Sequence, residues 1–241
     1  MALITCENVS IGYEGQTVVK ELNFSIERGD YLCIVGENGS GKSTLVKSLL
    51  GLKGADRGKI IYGDGLKKNE IGYLPQKNEE QKGFPASVYE VVLSGRLNGR
   101  GWKPFYRKED KEAAAEKMEM LGITDLARQC FRDLSGGQQQ KLALARTFYR
   151  QSAVIILDEP SAALDPEAEY RVFRTLGRLC GGKSALFTSH RLSNVFLADR
   201  IVVLEEGVVV EQGTHAELMG KNGRYAELYR YQADKFTQSE A

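Results

Sequence analysis

The stretch YLCIVGENGSGKSTLVKSLL, residues 31–50, decides how this chain folds. Its first five residues are apolar without alternation, as expected of a strand covered on both faces. Its last nine place Leu45, Val46, Leu49 and Leu50 at helical spacing, with Gly51 as a stop. Between strand and helix, Gly36-x-x-x-x-Gly41-Lys42-Ser43 matches a phosphate-binding loop at every fixed position. The glycines answer a chemical need: a triphosphate takes backbone N–H groups as ligands, so bulky side chains must be absent from the approach. Gly36, Gly39 and Gly41 leave that approach open, and Asn38 and Ser40 complete the loop. Lys42 is expected to set its ammonium against the β and γ phosphates. Ser43 would coordinate Mg²⁺ through its hydroxyl, and Thr44 would add a phosphate contact.

Further along, residues 153–157 are again continuously apolar and stop abruptly at Asp158 and Glu159. In an open α/β sheet, ligands sit beyond the carboxyl ends of the strands, so both acids should face the loop. Asp158 is expected to hold Mg²⁺ through water, and Glu159 to polarise an attacking water as general base.

Residues 134–138 read LSGGQ, with Ser135 suited to cap a helix over 137–150 whose positive end is open to an anion. Together with the loop and the Asp158-Glu159 pair, this run resembles the signature of the ABC ATPases. The resemblance implies an α/β phosphate-loop core with a mostly parallel sheet, an N-terminal antiparallel β subdomain and an inserted helical subdomain. It further implies ATP and Mg²⁺ as cofactors and a head-to-tail dimer. In such a dimer Ser135, Gly136, Gly137 and Gln138 complete the site of the opposite copy. By the same resemblance Gln76 contacts Mg²⁺ and the attacking water, Asp165 crosses the dimer interface, His190 orients Glu159 and bonds the γ-phosphate, and Tyr13 stacks on adenine. The catalytic set is thus Glu159, His190, Gln76 and Lys42; the metal set is Ser43, Gln76 and Asp158.

Composition limits the alternatives. With 241 residues the chain can bury a full core as one domain. A formal net charge of +1 argues against a nucleic-acid footprint or a polybasic anchor. No apolar run approaches the roughly 18 residues that span a bilayer, and no signal-peptide pattern opens the chain, so a cytoplasmic protein without direct membrane insertion is expected. Cys6, Cys33, Cys130 and Cys180 are scattered and read as reduced thiols. His215, within the capping box Thr214-x-x-Glu217, reads as a surface helix residue.

The chain reads as a single ATPase domain, 1–241: residues 1–76 and 152–241 form the nucleotide-binding core and 77–151 the helical signature subdomain. Helices are expected from the Ser87-x-x-Glu90 capping box and over 107–121, where Gly122 ends the second. Such ATPases grip a transmembrane permease through the helical subdomain, which places the chain on the inner face of the cell membrane. Gly72-Tyr73-Leu74-Pro75-Gln76 and the run from Phe84 to Arg96 resemble the ATP-binding subunits of zinc and manganese importers. That resemblance runs to about Gln140 and adds a metal-binding protein to the expected partners. Downstream, residues 188–193 and 211–218 resemble exporter ATPase domains. Two origins fit this seam: a natural member of mixed type, or a chimera joined around 134–145. The chimera is favoured because each half matches its own subfamily better. Metal import, export and an ATP-dependent regulator outside transport all stay open; the start at Met1 close to the first core strand favours a separate subunit over an exporter half.

One segment points elsewhere. Arg96, Arg100, Lys103, Arg107 and Lys108 interleave with Trp102, Phe105 and Tyr106, a pattern compatible with a nucleic-acid stripe. The balanced charge favours a solvated loop, with permease contact next, and no nucleic-acid partner is expected.

Overall fold

Two sheets, seen in a computed structural model that describes residues 2–13, 15–76, 85–99, 105–161, 164–180, 183–193 and 195–238, organise the chain. The smaller is antiparallel, with strands β1 (Ala2–Tyr13), β2 (Gln16–Glu27) and β4 (Arg57–Tyr62) in the order β2-β1-β4. The larger contains β3 (Tyr31–Val35), β5 (Ile71–Leu74), β6 (Val154–Asp158), β7 (Ser184–Ser189), β8 (Arg200–Glu205) and β9 (Val208–Gly213), in the order β5-β6-β7-β3-β8-β9. Every pairing in it is parallel except β8 with β9, a hairpin turned at Glu206-Gly207. The helices are α1 (Lys42–Leu49), α2 (Val88–Leu93), α3 (Lys108–Met120), α4 (Gly136–Tyr149), α5 (Pro166–Cys180), α6 (His215–Lys221) and α7 (Arg224–Gln238).

Period-two alternation in the central strands sorts the core onto two faces. Cys33, Val35, Ile155, Leu157 and Phe187 point to one side, where they share a core with Val88, Met118, Leu142, Phe148 and Phe173 from four helices. Leu32, Ile34, Ile156, Leu186 and Val202 point to the other, against Leu45, Val46 and Leu49 of α1 and Val9, Ile11 and Ile26 of the antiparallel sheet. The unbroken apolar runs of β3 and β6 are therefore what a sheet covered on both faces requires.

Local signals end the helices where the sequence places them. Ser87 Oγ accepts from the Glu90 N–H while Glu90 returns to the Ser87 N–H at 2.8 Å, starting α2. The signature helix starts at Gly136, one residue earlier than expected, because Ser135 makes the same reciprocal pair with Gln138.

Two expectations are corrected. Arg96 is not a solvated loop residue: its Nε donates to the Tyr149 carbonyl at 2.8 Å, Nη1 bonds Asp110 at 3.1 Å, and the guanidinium lies 4.4 Å from the Tyr149 ring centroid. His215 does sit in the Thr214 capping box, yet its Nδ1 lies 2.8 Å from the Tyr225 hydroxyl and its ring packs against Phe196, Tyr225 and Tyr229. It is part of an aromatic cluster rather than a surface residue. Cys6 and Cys33 are free buried thiols. Phe84, Arg100, Trp102, Lys103, Ala162 and Ala163, together with the Cys180 side chain, lie outside the described residues. Among the described residues no helix is long and apolar enough to cross a membrane.

Candidate functional site

The phosphate loop leaves β3 at Gly36, where a Cβ would stand 2.2 Å from the Leu204 carbonyl oxygen, so only glycine lets the loop pass β8 so closely. It enters α1 through Gly41 at φ 102°, a left-handed conformation that presents the helix N-terminus toward the loop's concave side. Within that turn Lys42 folds back on its own loop. Its Nζ donates to the Gly36 and Glu37 carbonyls, each at 2.8 Å, and approaches Ser40 Oγ at 3.5 Å. Burial of this ammonium lowers its pKa from the ordinary lysine value, opposed first by the charge of Glu159 and then by that of Asp158.

The strand ends supply the acids. Asp158 closes β6 and is only 2% exposed. Its Oδ1 accepts from Thr188 Oγ1 at 2.7 Å and lies 3.4 Å from Ser43 Oγ. Glu159 follows at φ 49°, an uncommon backbone conformation for a residue with a side chain. The Glu159 N–H donates to Thr188 Oγ1 at 3.0 Å, so one buried hydroxyl fixes both acids: Asp158 and Thr188 are register partners across β6 and β7. The Glu159 carboxylate is held from two sides. Gln76 Nε2 donates to Oε2 at 2.8 Å, and His190 Nδ1 stands 3.2 Å from Oε1, within ion-pair reach but without the alignment of a hydrogen bond.

These residues converge on one open cleft of about 410 Å³, lined by Val18, Asn38, Gly39, Gly41, Lys42, Ser43, Thr44, Gln76, Glu159 and His190. Most of the expected residues are thus brought together; Asp158 stands 3.4 Å behind Ser43, and Gly36 and Ser40 line a neighbouring cavity of about 220 Å³ instead. Val18 was not anticipated; it enters from β2 because Gly41 packs against the Val18-Val19 backbone and side chains.

Other expected residues lie apart from the cleft. Tyr13, 43% exposed at the end of β1, is absent from its lining and takes the Lys53 ammonium 4.2 Å from its ring centroid. Ser135, Gly136, Gly137 and Gln138 open α4 elsewhere on the surface, and Asp165 caps α5 by accepting from the Ala168 N–H at 2.8 Å. Sequence reasoning missed the braces around the acids. Gln140 of α4 donates to the Pro160 carbonyl at 2.7 Å, and the buried Glu169 carboxylate accepts from Ser161 Oγ at 2.7 Å and from Arg191 Nη1 at 3.3 Å.

The donors near the loop fit a hard cation. Hydroxyl, carboxylate and amide oxygens are the ligands Mg²⁺ prefers. Among the described residues there is no group of three or more His, Cys, Asp or Glu that could hold a metal ion.

Comparison with known proteins extends the geometry. The profile of the ABC transporter family matches residues 19–162. An ATP-dependent lipid A-core flippase of Alcanivorax borkumensis is 36% identical over 236 residues, which are 94% of this chain and 40% of the flippase. A probable metal transport system ATP-binding protein of Chlamydia pneumoniae is 36% identical over 186 residues, 75% of this chain and 76% of that protein. Among solved structures, a bacterial Atm1-family ABC exporter with ATP bound superposes with a TM-score of 0.81 at 26% identity, over 95% of this chain and 41% of the exporter chain. The chain therefore spans about two fifths of the length of some relatives it matches and most of the length of others.

Proposed function

From the premise that this chain belongs to the ABC transporter family and is one of its ATPases, we propose that it binds MgATP in the 410 Å³ cleft and hydrolyses it by in-line attack of water to power a membrane permease. The observation that carries this reading is the convergence of Lys42, Ser43, Gln76, Glu159 and His190 on that cleft, with Asp158 3.4 Å behind Ser43. Binding of the triphosphate would draw Lys42 Nζ from the Gly36 and Glu37 carbonyls to the phosphate oxygens, exchanging neutral acceptors for charged ones. Ser43, Asp158 and Gln76 would hold Mg²⁺, which when bound neutralises charge on the phosphates. Glu159 then accepts the proton of the attacking water, its carboxylate aimed by Gln76 from one side and His190 from the other. Thr44 and the loop amides hold the phosphates, and Tyr13 stacks on the base from outside the cleft.

The half-site is incomplete as it stands. Ser135, Gly136, Gly137, Gln138 and Asp165 lie outside the cleft of their own chain, and in this reading they complete the cleft of a second copy in a head-to-tail dimer. Closure on ATP and reopening after hydrolysis would drive the permease between states, with the chain held at the cytoplasmic face of the membrane through that partner. The domain division proposed is a nucleotide-binding core of 1–76 and 152–241 with a helical part of 77–151.

Two cargo readings stand beside each other. Import of a divalent metal, with a metal-binding protein delivering it, is supported by the segment around Gln76 and by the Chlamydia relative. Export is supported by the flippase relative, whose likeness extends over 94% of the chain, and by the exporter structure. Glu159→Gln tests the chemistry: ATP binding and a MgATP-dependent dimer should persist while turnover falls at least about 100-fold. Turnover at the wild-type rate would remove Glu159 as base. The same trapped dimer, used to capture its partner from solubilised membranes, separates an importer permease from an exporter half.

A further inference from the structure

Helix α7 reaches the site from the far end of the chain. Gln232 Nε2 donates to the His190 carbonyl at 2.7 Å, and the Leu192 N–H donates to Gln232 Oε1 at 2.8 Å. One side-chain amide thus occupies the place of a neighbouring strand, satisfying a donor and an acceptor two residues apart on the turn that follows β7. On the inside of the same turn, Ser189 Oγ accepts from the Arg191 N–H at 3.0 Å and donates to the Arg191 carbonyl at 2.6 Å. The turn that carries His190 is therefore held on its outer side by Gln232 and on its inner side by Ser189, while the His190 ring stays 38% exposed beside Glu159.

Two turns earlier on α7, Arg224 donates a hydrogen bond to Glu37 of the phosphate loop at 2.9 Å and stands within ion-pair distance, 2.7 Å, of Glu205 at the end of β8. Eight residues separate Arg224 from Gln232, about 12 Å along a helix axis. The helix thus ties Glu37 of the phosphate loop to the turn that carries His190.

We propose that Gln232 is a positioning residue for the switch turn, and that α7 acts as a strut fixing the distance between His190 and the phosphate loop. This inference rests on the ATPase reading above, in which His190 aims Glu159. Without the amide clamp, the His190 peptide is free to rotate and the imidazole leaves the Glu159 carboxylate. ATP affinity should change far less than turnover, because Gln232 does not line the cleft and the Arg224–Glu37 contact at the other end of α7 is kept.

The test compares the full 241-residue chain with Gln232→Leu, which keeps volume and removes both hydrogen bonds, and with Gln232→Glu, which keeps the acceptor for Leu192 and loses the donor to His190. In Gln232→Leu, kcat should fall about 10-fold while KM for ATP changes by less than about twofold. Gln232→Glu should fall between this variant and wild type. In a His190→Ala background, Gln232→Leu should cost nothing further, a coupling that a merely structural residue would not show. A Gln232→Leu rate within twofold of wild type overturns the inference, as does an undiminished effect in the His190→Ala background. Should the leucine variant fail to fold, an unchanged rate in Gln232→Glu overturns it equally. Glu159→Gln serves as the reference: wild-type turnover there defeats the ATPase reading itself, whereas an inactive Glu159→Gln beside a fully active Gln232→Leu defeats only the role of Gln232.

Discussion

Replacing Thr188 with valine removes a hydroxyl and almost nothing else, which makes it a sharp probe of how the acids are held. Thr188 is fully buried, donates to Asp158 Oδ1 at 2.7 Å and accepts from the Glu159 N–H at 3.0 Å. Valine forfeits a hydrogen bond to a buried carboxylate, worth roughly 1.5–3 kcal/mol, and leaves the Glu159 N–H without its acceptor at a further cost of roughly 1–3 kcal/mol. Relaxation and water recover part of this, so the net loss expected is about 3 kcal/mol, or about 6–12 °C in the unfolding midpoint of a chain this size. Thr188→Ser keeps both hydrogen bonds and gives up one buried methyl, about 1 kcal/mol. Urea unfolding of the three proteins, without nucleotide, reads the difference directly. Equal losses for valine and serine, or a valine loss below about 1 kcal/mol, would show that packing rather than the hydroxyl holds the acids, and the account of the strand ends given above would fail.

Further outcomes follow from two buried charges, those of Lys42 and Glu169. Because burial depresses the Lys42 pKa below 10.5, the unfolded chain binds more protons in the window between the depressed value and 10.5, so Lys42 makes stability rise with pH across that window; Lys42→Met should flatten this rise. The same variant should lose the stabilisation by MgATP, about 2.7 kcal/mol for wild type at nucleotide 100-fold above Kd, as scanning calorimetry would show. Arg191→Met should cost about 3 kcal/mol in urea unfolding, since it strands the Glu169 carboxylate, whose side chain is 3% exposed, with Ser161 as its remaining hydrogen-bond donor; combining it with Glu169→Gln should cost less than the sum of the two single changes.

The parts of the site that the sequence discloses are those whose cause is local. Gly36 to Thr44 bring strand, turn and helix within 20 residues, and Asp158-Glu159 announce themselves because an apolar run ends there. The capping pairs at Ser87, Ser135 and Thr214 are three-residue signals and fold as such. What stays hidden depends on residues far apart in the chain. Arg96 meets the Tyr149 carbonyl across 53 positions, and Gln232 meets His190 across 42. Neither partner carries a pattern that names the other. His215 escapes the sequence reading for the same reason: its capping box is local, but the aromatic rings around it come from two other segments, Phe196 from the turn before β8 and Tyr225 and Tyr229 from α7. The left-handed turn at Glu159 is likewise invisible in the letters, since glutamate, unlike glycine, asparagine or aspartate, carries no preference that would signal it.

That turn sets stability against chemistry at a single position. At φ 49° a glycine or an asparagine would rest more easily than glutamate, so the residue best suited to the backbone is unsuited to accept a proton. Under the proposed reading, replacing Glu159 with asparagine or glycine therefore trades the proton acceptor for a more relaxed backbone: stability should rise while turnover is lost.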